Sequence, residues 1–225
     1  MFKMSTTHSL KSAFVASVIA LALAGCQAAD TGPSSTEDRP VGAFQAVEME
    51  GAAQLDILVG PAASVSITGS QAARAAFNSR VEGDRLLLTS NGSAWKPNLG
   101  KIMVRVTVPQ LRALKISGAG EISVNGINGD SLDVAFDGAS SLEASGTIGK
   151  LAVQMNGAGK MDLSRLQAVD ATVTANGAGS IDVNSTGSLD ATVNGVGSIN
   201  YYGKPAKVTS AINGVGSIAP RTRDH

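Results

Sequence analysis

The chain has 225 residues, of which 26 are Gly and eight are aromatic, and its 18 Lys and Arg balance its 18 Asp and Glu. Both His are terminal (His8 and His225) and the single Cys is Cys26, an inventory that excludes a His-based triad, a Cys–His nucleophile pair, a structural zinc site and a disulfide framework. Zero net charge also lacks the basic footprint that nucleic-acid binding needs.

Lys3 and Lys11 make a basic start, no acid precedes Asp30, and residues 13–24 are apolar except for Ser17. Such a stretch is too short to cross about 30 Å of hydrocarbon as a helix, which takes roughly 20 residues. It suits the apolar core of an export signal over residues 1–25. It closes on Leu23-Ala24-Gly25-Cys26, which resembles the lipobox of bacterial lipoproteins. That resemblance implies cleavage before Cys26, diacylglycerol on its thiol and acylation of the new amino terminus. Two or more acyl chains anchor stably, so the implied partner of Cys26 is a membrane. Gln27, rather than Asp, after the cysteine favours the outer membrane by analogy with Gram-negative sorting. Residues 26–40 are then small, polar and Pro-containing. They read as a flexible tether that spans about 20 Å as a coil.

Residues 41–110 read as irregular first turns and an end cap. Gly51–Ile57 has the look of a degenerate corner followed by an inward ladder, and strand-like alternation recurs at 64–68, 85–89 and 101–108. Residues 72–77 suit one helical turn. The polar loop 90–100 carries the only Trp, Trp95. It is a candidate contact residue, since exposed aromatics anchor interfaces; packing of Trp95 against the solenoid is the alternative.

From 111 to 220 the chain repeats itself. The motif [Asn/Asp/Ser]-Gly-small-[Gly/Ser]-x-apolar begins at Ser117, Asp137, Asn156, Asn176, Asn194 and Asn213, with spacings of 20, 19, 20, 18 and 19. Alternating runs such as Leu132–Phe136 precede it and shorter ones such as Ile181–Val183 follow, the period-2 signature of strands. Only one strong turn signal recurs in each repeat, whereas a hairpin meander of this length needs two. A parallel coil of about 19 residues per turn, with rungs stacked about 4.8 Å apart, fits better. Like residues then stack on like: Ile116, Phe136, Met155, Ala175, Val193 and Ile212 before the corner, and Ile122, Leu142, Met161, Ile181, Ile199 and Ile218 after it. At the corner itself, Asp137, Asn156, Asn176, Asn194 and Asn213 form a ladder. Such side chains tolerate tight bends and can hydrogen-bond from turn to turn. Pro220 and the charged tail 221–225 blunt the final edge.

These features together resemble the head GIN domain family of bacterial envelope proteins, described as adhesin heads of autotransporters. The match rests on Gly51…Leu55-Asp56-Ile57…Gly60, on Val106-Thr107-Val108-Pro109…Leu111…Leu114, and on the repeated Gly-Ala-Gly corners, and it covers about 44–218. The resemblance implies an all-β, right-handed parallel β-solenoid (a β-helix of the pectin-lyase type) with no catalytic constellation.

Parallel β-helices also host polysaccharide lyases and hydrolases. In the position after each inward apolar residue the column reads Ser123, Glu143, Asp162, Asp182, Asn200 and Ala219. Adjacent turns put Glu143, Asp162 and Asp182 about 5 Å apart, a spacing seen in retaining glycosidases. Stacked carboxylates raise one another's pKa or bind a cation such as Ca²⁺. A solvated acidic face, a weak metal site and a catalytic pair are the three readings. Lys160 is the only nearby base and sugar-stacking aromatics are scarce, which favours the first. Tyr201 and Tyr202 interrupt the last full repeat, and one of them must face outward as a possible contact surface. The expected function is therefore a non-catalytic adhesion or interaction role in the cell envelope, with a cell-surface glycan or protein as partner and no cofactor. The rivals are a carbohydrate-active enzyme and a periplasm-facing structural or sensing lipoprotein.

Overall fold

The computed structural model describes residues 33–90 and 101–222. The segment read as an export signal, Cys26 with residues 27–32 of the predicted tether, Trp95 with the rest of residues 91–100, and residues 223–225 lie outside the described residues.

The repeat folds as a parallel β-solenoid. Strands β8 (Ala113–Phe136), β9 (Ala139–Met155), β10 (Ala158–Ala175) and β11 (Ala178–Val193) stack in parallel. They are followed by β12 (Val196–Gly203), β13 (Lys207–Ile212) and β14 (Val215–Pro220). Phe136, Met155, Ala175, Val193 and Ile212 are partners from rung to rung before the corner, and so are Ile122, Leu142, Met161, Ile181, Ile199 and Ile218 after it. Both expected columns thus exist. Each turn has a strand before the corner, a sharp corner, a strand after it, and a looser return where the register slips, as between Val124 and Ile127 or Asp162 and Arg165. The slips absorb the unequal lengths of successive repeats.

Alternation explains the core. Ile116, Phe136, Met155 and Val193 are fully buried, as are Met161, Ile181 and Ile199, because every second side chain of a strand points to the same face. The coil begins earlier than the regular repeat. β2 (Ala46–Ala52) and β3 (Gln54–Val59) pair in parallel with β8, setting Gly51 against Gly118 and Leu55 against Ile122.

Above this first turn lie β6 (Arg85–Ser90) on β2 and β7 (Met103–Val108) on β3, both parallel. The end is closed by antiparallel strands: β5 (Phe77–Glu82) on β6, β4 (Ser64–Gly69) on β7, and β1 (Ser35–Arg39) on β4. A short helix α1 (Gln71–Ala75) links β4 to β5, with Ser70 Oγ accepting the Ala73 amide at 3.2 Å.

β1 lies inside the segment read from sequence as tether. It has no apolar pattern of its own and is mostly exposed. It is held by the open edge of β4, by the Thr36–Thr68 hydroxyl contact at 2.8 Å, and by Glu37 bridging Arg39 and Arg74. A partner edge makes this strand, not local propensity.

Candidate functional site

The corner ladder forms as expected. Asn156 Nδ2 donates to Asp137 Oδ1 (2.6 Å), Asn176 to Asn156 (2.8 Å), Asn194 to Asn176 (2.7 Å) and Asn213 to Asn194 (2.9 Å). Each residue's backbone amide also bonds to the rung before it, as Asn176 N does to Met155 O at 2.7 Å. Each of these asparagines spends a side-chain donor on the rung before it. Replacing Asn176 with Ala removes one donated and one accepted bond. We expect a loss of about 1–2 kcal/mol, read as a lower urea midpoint at unchanged slope.

The carboxylate column is also in register: Ser123, Glu143, Asp162, Asp182, Asn200 and Ala219 are successive partners. Its chemistry differs from the expectation of mutual repulsion. Glu143 pairs with Arg165 at 2.7 Å, both side chains being largely exposed. Asp162 Oδ1 accepts the Ser164 hydroxyl at 2.6 Å and its amide at 3.1 Å. Asp182 Oδ1 accepts Asn200 Nδ2 at 2.8 Å, and Asn200 Oδ1 in turn accepts Arg221 Nε at 3.3 Å. Burial pushes the Asp162 carboxyl up, but the two Ser164 bonds, with Lys160 and Arg165 nearby, outweigh it and hold the group below its ordinary value. Stacking alone would raise this pKa; local donors lower it instead. Among the described residues no group of three or more His, Cys, Asp or Glu is placed to hold a metal ion.

Tyr201 stands in register with Val183 and packs against the core, while Tyr202 stands beside Asn184. Alternation therefore puts Tyr202 on the outer face, where it is half-buried.

A second cluster escaped the sequence reading. Glu48 on β2 is buried although its neighbours Val47 and Met49 take the inward positions. Lys115 from the next rung reaches one carboxylate oxygen at 2.7 Å, and Arg85 from β6 reaches the other at 2.9 Å. The Lys115 hydrogen bond is the main reason that the Glu48 carboxyl is held below its usual value, with Arg85 adding to it and burial opposing. This triad borders a shallow groove on the outer face of the wall before the corner. Ala113, Ala135 and Ala152 line it with the exposed Asp133 among them, and Gln154, Thr172 and Thr174 line its far side.

Acidification should report on these groups together. Glu48, Asp162 and Asp170, which accepts Ser188 Oγ at 2.6 Å, are all held below their ordinary values. A carboxylate with a depressed folded-state pKa contributes stability above its unfolded pKa, and loses it as pH falls through the folded one. Stability should therefore be flat from neutral pH down to the ordinary carboxylate range and fall below it. Glu48→Gln should flatten that fall in thermal melts taken between pH 6 and pH 2.

No curated protein matches the chain. Among solved structures, a putative adhesin from Bacteroides fragilis superposes with a TM-score of 0.70 at 24% identity, covering 85% of this chain and 99% of that one. A putative lipid binding protein from Parabacteroides distasonis (TM-score 0.45, 20% identity, 85% and 98% covered) and a putative adhesin from Parabacteroides merdae (0.46, 19%, 85% and 98%) match less well. The first of these likenesses bears out the solenoid fold. The family model described as "Putative auto-transporter adhesin, head GIN domain" matches residues 43–205, and with the stacked Gly-small-Gly corners in place the chain belongs to that family.

Proposed function

We propose that the protein is a lipid-anchored envelope protein, tethered through Cys26, with a non-catalytic adhesion-type role. The observation that carries the reading is the groove beside Glu48, Lys115 and Arg85. Its volume of about 540 Å³ is in the range of small-ligand sites. Its alanines leave room for a flat partner, and Asp133, Lys115, Gln154, Thr172 and Thr174 offer hydrogen bonds to a cell-surface glycan or protein. Membership of an adhesin-head family supports the same role. The carboxylate column serves the scaffold, since each of its acids is engaged by Arg165, Ser164 or Asn200.

The test is protease shaving of intact cells followed by blotting. Loss of the domain from unbroken cells is expected, and beads coated with the domain should stop adhering when Ala135→Trp fills the groove. Triple Ala substitution of Glu143, Asp162 and Asp182 should leave that adhesion nearly unchanged. Protection until the outer membrane is permeabilised would overturn adhesion in favour of a periplasm-facing role.

A further inference from the structure

The two ends of the solenoid are finished differently. At the first end the outermost strands are antiparallel and carry charges of both signs, Glu37, Asp38 and Arg39 on β1 and the Arg80–Glu82 pair on β5. Mixed charge of this kind discourages edge pairing. At the other end β13 bonds only to β11 and β14 only to β12, so among the described residues one edge of each is unpaired. Val208 and Ile212 stand in register with the buried Leu189 and Val193, yet they are 41% and 46% exposed because no further rung covers them.

The open edge also has direction and charge. Asn213 donates its amide back to Val193 O at 2.7 Å. Backbone groups alternate sides along a strand, so the amides of Val208, Ser210 and Ile212 point off the unpaired edge. Residues 191–222 contain Lys204, Lys207 and Arg221 and no acid. A second copy docked end to end would bring these cations onto themselves. The mixed charge of the first end gives them little to pair with in head-to-tail stacking.

We infer that this last turn is a β-augmentation site for an extended acidic segment of another polypeptide. The segment adds as a strand along β13, covers Val208 and Ile212 with its apolar positions, and pairs its acids with Lys204 and Lys207. Main-chain bonds supply affinity in this mode and alternate side chains supply selectivity. The inference is independent of the groove.

The probe is a fluorescent eight-residue peptide alternating Glu with Val, compared with its Lys-for-Glu counterpart by anisotropy. The acidic peptide should bind at least tenfold tighter than the basic one and weaken as salt rises. Ser210→Pro removes an outward amide without touching the ladder to β11, and should weaken binding at least tenfold with an unchanged circular dichroism melt. The double variant Lys204→Glu, Lys207→Glu should do the same and gives a second reading if Ser210→Pro disturbs the rung. Equal binding of the two peptides, or binding insensitive to both variants, overturns the site. A concentration-dependent dimer that Ser210→Pro dissociates overturns the acidic partner in favour of a second copy.

Discussion

Gly177→Ala should destabilise the protein by roughly 3–5 kcal/mol, a large share of the 5–15 kcal/mol that typical domains possess. A Cβ at Gly177 would lie 1.7 Å from the carbonyl oxygen of Gly157 in the rung beneath. That neighbour is backbone held in the ladder, so no rotamer change relieves the clash. The same approach recurs at 2.0 Å or less at Gly118, Gly138, Gly157, Gly195 and Gly214. The column is glycine in every turn because rungs at strand spacing leave no room for a methyl at the bend. Two controls give the prediction its edge. Gly42, where a Cβ would meet nothing within 4 Å, should accept Ala without effect. Gly214→Ala should cost less than Gly177→Ala, since the last rung can lift where an internal one is pinned on both sides. Denaturant midpoints for the three variants would measure this. A Gly177→Ala midpoint equal to that of Gly42→Ala would sink the account.

The second large effect is expected at Phe136. Its side chain is fully buried and stands in register with Met155 on the next rung. Truncation to Ala removes the ring and leaves a cavity that neighbouring backbone cannot fill, because each rung is tied to two others. We expect a loss of about 3–5 kcal/mol for Phe136→Ala and less than about 1.5 kcal/mol for Phe136→Leu. A similar loss for both would mean that ring shape, and not filled volume, holds this layer.

The regular turns were legible because stacking repeats its requirements. A bend that admits only Gly and a core that takes one apolar residue per rung leave the same mark once in every turn. The cap was less legible. β1 exists because β4 has an open edge, a property of the assembled sheet that residues 35–39 do not carry. The Glu48 cluster lay partly in reach: Gly51 and Gly118 share a column, and counting three residues back from each meets Glu48 and Lys115. Arg85 had no such marker, because the register of β6 over β2 follows from the irregular cap. The acids at 143, 162 and 182 aligned as read, and Asn200, the partner of Asp182, stood next in the same column, but the partners of Glu143 and Asp162 did not show. Ser164 and Arg165 sit where the register slips after Asp162, and a slip is invisible to column counting.

The register slips at the return have a consequence for how such a chain can change. Each regular turn bonds only to the turns on either side of it, and turns of unequal length are already accommodated at the return. Excising residues 157–176, one complete period, would rejoin like with like and shorten the rod by about one strand spacing of 4.8 Å. Both ends and every lateral surface outside the deleted rung would keep their chemistry. Length and surface are thus separate variables in this architecture: reach can be tuned by adding or losing modules while the terminal features stay as they are.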